Sequence, residues 1–118
     1  MKNKSYWLYS KHAIEAALRN PDRKVFELIT EHKFEKYYRN LLSDIRSKSL
    51  ANLKIKLVNK SFIKKKIGIN KKYQGVALLV EPLNTYSFNL EVSKKIESNF
   101  ILILDKVGDP NNFGSILR

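Results

Sequence analysis

The chain has 118 residues, 43% of them hydrophobic, and carries 23 basic against 11 acidic side chains, a formal net charge of +12. That apolar fraction excludes wholesale disorder. No apolar run reaches the roughly 18 residues of a membrane span, no signal peptide is visible, and the lack of cysteine excludes disulfides, thiolate metal sites and cysteine nucleophiles. A soluble, cytoplasmic, basic protein without a metal site is the expectation. In chain order, Ser10 is placed to cap a helix over Lys11 to Arg19, which Asn20-Pro21 stops. Val25 to Thr30 reads as a strand. Phe34, Tyr37, Tyr38, Leu41, Leu42 and Ile45 form one face of a helix and are expected to be core. Ile55 to Val58 reads as a strand and Ser61 to Ile67 as a short helix ending before Gly68. Gly75 to Val80 reads as a strand buried on both faces. Asn84 to Asn89 looks like a linker, Leu90 to Ser98 like a short helix, and Phe100 to Leu104 like another buried strand. Asp109-Pro110 suggests a turn or helix start, with Gly114 to Arg118 entering a helix.

Strands alternating with helices imply an α/β fold whose parallel or mixed sheet is covered on both faces. The charge is not spread evenly. Residues 1–80 hold 19 basic and 6 acidic side chains, a net of +13, while residues 81–118 hold 4 and 5, a net of −1. An AT-rich genome raises Lys, Asn and Ile without any functional demand, but it does not explain this asymmetry. Such a division points to a polyanion-binding module joined to something else. The expected domains are residues 1–81, a linker over 82–98, and a second domain over 99–118 that is cut off near its start.

The run from Asp105 to Arg118 resembles the first signature motif of the SpoU/TrmH-type (SPOUT superfamily) RNA ribose 2′-O-methyltransferases, roughly D-x-[IV]-x-D-P-x-N-x-G-x-[IL]-[IL]-R, and matches every fixed position. Tyr9-Ser10-Lys11-His12-Ala13 resembles the opening of the small RNA-binding domain that precedes the catalytic domain in one branch, with Ser10 where glycine is usual. Tyr73-Gln74-Gly75-Val76-Ala77 resembles the segment that closes it, with Tyr73 where histidine is usual. The resemblance implies a three-layer α/β/α, L30e-like domain with a mixed sheet, then the first strand and helix start of a truncated, knotted SPOUT domain. It implies the guanosine branch acting on large-subunit rRNA, S-adenosylmethionine as cofactor with its site beyond Arg118, and a homodimer formed through the missing carboxy-terminal domain. The 118 residues alone are expected to bind RNA without methylating it.

The resemblance also implies roles. Asn112 can orient the ribose 2′-hydroxyl or a phosphate. Arg118 matches the catalytic arginine; a guanidinium stays protonated, so it suits a developing alkoxide or a phosphate better than proton abstraction. Asp105, Asp109 and Gly114 would shape the loop, Gly114 by close approach or an awkward φ. His12 is a candidate RNA contact or a packed helix-start residue. Lys64, Lys65, Lys66, Lys71 and Lys72, in a stretch without an acid from residue 60 to 72, are read as phosphate contacts, with Tyr73 and Gln74 against an unpaired base. Two other readings stay open: a non-enzymatic L30e-type RNA-binding module, and a basic domain that binds an acidic protein.

Overall fold

The computed structural model describes residues 4–45, 50, 52–84 and 102–118. The chain divides into two compact units, Met1–Asn84 and Thr85–Arg118. The first unit runs β1 (Tyr6–Leu8), α1 (Lys11–Arg19), β2 (Val25–Thr30), a 3₁₀ turn (His32–Phe34), α2 (Glu35–Asp44), β3 (Lys54–Leu57), α3 (Lys60–Ile67) and β4 (Val76–Val80). Its sheet order is β1-β4-β2-β3. β4 is antiparallel to both β1 and β2, while β2 and β3 are parallel, so the sheet is mixed.

Helices cover both faces of the sheet. On one side Ile14, Ala17 and Leu18 of α1 and Tyr38 and Leu41 of α2 pack with Leu28, Val76, Leu78 and Val80. On the other, Ile63 and Ile67 of α3 pack with Ile29 and Ala77. The odd and even residues of β2 and β4 therefore feed different layers, as the pleat requires. β4 is almost wholly buried because both layers meet on it. The expected stripe on α2 packs inward at Phe34, Tyr38, Leu41, Leu42 and Ile45. Tyr37 does not: it is exposed, and its hydroxyl donates to the Glu15 carboxylate while its ring meets Tyr38 edge-on, centroids 5.1 Å apart.

Further expectations need correction. β1 has no signal in the sequence, because three residues cannot display alternation. It is held by pairing with β4 (Trp7 opposite Leu79) and by Arg23, which lies over the Tyr6 ring and donates to its hydroxyl. The boundaries of β3 and α3 each begin one residue early, α3 because Asn59 supplies the cap, its Oδ1 accepting from Phe62 N at 2.9 Å. In the second unit the expected buried strand does not form over Leu102 to Leu104, where Ile103 is 84% exposed; a strand needs a paired neighbour and covering layers, and no described residue of that unit supplies them. Phe100, the Leu90 to Ser98 helix and most of the linker lie outside the described residues. The last helix is longer than expected: α4 spans Pro110–Leu117, with Pro110 at its first position and Asp109 as cap, its Oδ1 accepting from Asn111 N at 2.9 Å. Gly114 therefore sits inside a helix, without the positive φ that would require glycine. Among the described residues no helix is long and apolar enough to cross a membrane.

Candidate nucleic-acid interface

β1, β2 and β3 all run in one direction, so α1, the 3₁₀ turn leading into α2, and α3 all begin at the same end of the sheet. β4 enters from that end, directly after Tyr73-Gln74-Gly75. Three helix amino-termini thus share one rim and give it a positive partial charge. Side chains of the same sign add to it: Lys11, Lys33, Lys60 and Lys64.

The two ends of the domain meet on this rim. Gln74 Oε1 accepts from the backbone N of Lys11 at 2.8 Å, across 63 residues of sequence. Ser10 occupies the cap position of α1, but its side chain makes no cap bond. The cap of α1 is thus supplied by Gln74. Ser10 has an ordinary extended backbone (φ −87°, ψ 132°), which explains why glycine is dispensable there. Replacing Gln74 with Ala is expected to cost about 1 kcal/mol, the worth of a cap bond, and urea denaturation of the two proteins measures it.

Beside this clamp, Gly75 adopts φ +82°, and its carbonyl accepts from Thr30 Oγ1 (3.0 Å) and from Glu31 N (3.1 Å). The Phe34 ring lies against Gly75 and beneath two ammonium groups, Lys11 Nζ at 4.5 Å and Lys33 Nζ at 5.1 Å from its centroid. Tyr73 lies beneath Lys60 (5.4 Å) and Lys64 (6.0 Å). Neither the Tyr73 hydroxyl nor Glu31 Oε2 accepts or donates a hydrogen bond, and Glu31 Oε2 is ion-paired with Lys33 Nζ at 3.6 Å. Burial, and then the neighbouring Glu31 carboxylate, push the Tyr73 phenol above its ordinary pKa. An open groove of about 540 Å³ runs along the rim between the ends of β2 and β3, lined by residues including Glu31, Lys33, Asn59 and Lys60.

The expected contacts are therefore only partly gathered. Tyr73, Gln74 and Lys64 meet at the rim, and exposed His12 stands on the first turn of α1 beside them. Lys65 and Lys66 point elsewhere. Lys66 Nζ lies 5.5 Å from the centre of the Phe62 ring, which Lys56 also covers at 4.9 Å. Lys71 and Lys72 are exposed in the turn between α3 and β4, where Lys71 N donates to Gly68 O at 3.1 Å. Sequence reasoning passed over Lys11, Glu31, Lys33, Phe34 and Lys56 as site residues. Lys11 stood inside a quoted motif; the others carried no local signal and are united only by the sheet.

In the second unit Asn112 lies in the first turn of α4, with Arg118 just past its last turn, and both are exposed along with Asp105, Asp109 and Gly114. At about 100° per residue, Asn112 and Arg118 project roughly 120° apart around the axis. The described residues of this unit do not by themselves fit an adenosylmethionine pocket: every one from 102 to 118 except Leu104 is exposed, and none of them walls off an adenine.

A mixed α/β domain with a basic, aromatic-studded rim is the class these features define. The family model described as RNA 2′-O ribose methyltransferase substrate binding matches residues 7–86, and the chain belongs to that SpoU-type family. The chain is 30% identical over 117 residues to the 23S rRNA (guanosine-2′-O-)-methyltransferase RlmB of Escherichia coli, covering 97% of this chain and 46% of that protein. It is 30% identical over 115 residues to the same enzyme of Haemophilus ducreyi, covering 94% and 45%. It is 41% identical over 76 residues to an uncharacterized tRNA/rRNA methyltransferase of Borreliella burgdorferi, covering 57% and 33%. The chain thus spans about half the length or less of the curated relatives it matches. No solved structure matches it.

Proposed function

We infer that this chain is the RNA-capturing amino-terminal part of an S-adenosylmethionine-dependent guanosine 2′-O-methyltransferase of large-subunit rRNA. The observation that carries the reading is the rim, where the opening and closing stretches of the domain are locked together by the Lys11–Gln74 bond and Lys60 and Lys64 stand over Tyr73. In this reading residues 1–81 are the L30e-like substrate-binding domain, 82–98 the linker and 99–118 the start of a knotted catalytic domain. The whole enzyme is a cytoplasmic homodimer. S-adenosylmethionine supplies the methyl group when bound, outside these residues. Asn112 orients the ribose 2′-hydroxyl. Arg118, set about 120° away around the helix, serves a phosphate or the developing oxyanion rather than the same atom.

Titration of labelled 23S rRNA fragments into the chain, followed by fluorescence anisotropy, tests the reading. Binding should weaken steeply with salt, as phosphate contacts dictate. Replacing Lys60 and Lys64 with Ala should weaken it at least tenfold at low salt. Absence of saltable binding, or indifference to that double replacement and to Lys11→Ala and Lys33→Ala together, would remove the rim as the RNA surface.

A further inference from the structure

The lysines of α3 do not form one patch. At about 100° per residue, Lys60 and Lys64 share one side of the helix, and Phe62 and Lys66 share another, about 160° away across the buried seam of Ile63 and Ile67. The solvent side between them carries Ser61 and Lys65, both exposed. There an open groove of about 750 Å³ is lined by Ser61, Lys64, Lys65, Gly68 and Ile69.

Each side repeats one arrangement, two ammonium groups over one ring: Lys60 and Lys64 over Tyr73, Lys56 and Lys66 over Phe62. An ammonium held over an aromatic face has lost part of its rotamer freedom in advance, so less is lost when it meets a phosphate. Among the described residues none of these four lysines, nor Lys65, forms an ion pair with a carboxylate. They are cations still lacking an anion.

We propose that α3 is a saddle for an unpaired RNA strand, which crosses the helix from the Tyr73 side to the Phe62 side with its phosphates held by Lys60 and Lys64, then Lys65, then Lys56 and Lys66. The occupant is single-stranded because the path turns round a helix only about 10–12 Å across; a stiff duplex reaches one side and not the other. The proposal rests on the RNA-binding reading above and adds a second contact surface that the rim alone does not supply.

The experiment is a salt titration of the 118-residue chain with an unpaired RNA oligomer and, separately, a blunt RNA duplex. For single strands each phosphate contact contributes about 0.7 to the slope of log affinity against log salt. The Lys60→Ala/Lys64→Ala and Lys56→Ala/Lys66→Ala variants should each flatten the oligomer slope by about 1.4, so each loses about sevenfold less affinity than the parent between 50 and 200 mM salt. The four-lysine variant should flatten it by about 2.8. The Lys56→Arg/Lys66→Arg variant should restore the slope, which separates lost charge from lost structure. On the duplex, one pair at most should matter. An unchanged oligomer slope in Lys56→Ala/Lys66→Ala, with the other pair still effective, overturns the saddle while leaving the rim as RNA surface. No salt-dependent binding by the parent chain overturns both.

Discussion

Gly75→Ala is expected to destabilise the first unit by about 2–6 kcal/mol. Two costs add. The backbone stands at φ +82°, where an L side chain is strained by about 1–3 kcal/mol. A Cβ there would also sit 2.2 Å from Cε2 and 2.8 Å from Cδ2 of Phe34, and 3.1 Å from Glu31 Oε2. The ring cannot simply swing away, since Phe34 packs on the main core and carries Lys11 and Lys33; overpacking of this kind costs about 1–3 kcal/mol more. Urea denaturation gives the total. The double variant Gly75→Ala/Phe34→Ala isolates the clash with the ring, because removing the ring leaves the φ cost and the looser contact with Glu31 Oε2. The two replacements should therefore be less damaging together than the sum of each alone, by about 1–2 kcal/mol. Strict additivity would mean the ring moves freely. RNA affinity should fall with stability in the single variant, since Gly75 anchors the segment that presents Tyr73 and Gln74 to the rim.

The alternation of strands and helices was legible because it rests on runs of like residues. The period of Phe34, Tyr38, Leu41 and Ile45 and the continuous apolar run from Val76 to Val80 each bury one surface, and burial leaves a local trace. β1 left none, since Tyr6–Leu8 is a strand only through its pairing with β4. The site was less legible for a related reason. Lysines at 64, 65 and 66 look like one patch when written in a line, but a helix fans consecutive side chains around its axis, and Lys66 joins Lys56 from another element. The Gln74–Lys11 bond spans 63 residues. Only the resemblance of both flanking stretches to one family hinted that they belong together, and it did not say how. Glu31 and Lys33 reach the rim because β2 happens to end there, which depends on strand direction and not on any neighbour in sequence.

Tyr38 should separate the value of a buried ring from the cost of a buried hydroxyl. It is fully buried and is the largest such side chain among the described residues. Removing the ring in Tyr38→Ala should cost about 3–5 kcal/mol, the usual range for a large aromatic. Tyr38→Phe should cost almost nothing or stabilise slightly, because the hydroxyl is buried and has no hydrogen-bond partner, so its desolvation is uncompensated. The same burial, with smaller contributions from Tyr37 and Glu15, pushes the Tyr38 phenol above its ordinary pKa. The sign of the pH dependence follows. The folded state holds the phenolic proton more tightly than the unfolded chain, whose tyrosines ionise near about pH 10. The contribution of the neutral phenol is therefore fully present below that pH and is lost as pH rises through the unfolded value toward the folded one. Stability measured from pH 8 to 11.5 should fall above about pH 10 in the parent chain, and the fall should be shallower in Tyr38→Phe, leaving the dependence that Tyr73 and Tyr37, both also raised, contribute. An identical fall in both proteins would mean that the Tyr38 hydroxyl reaches solvent in the folded state. In that case Tyr38→Phe should also lose its small advantage at neutral pH, so the two measurements check one another.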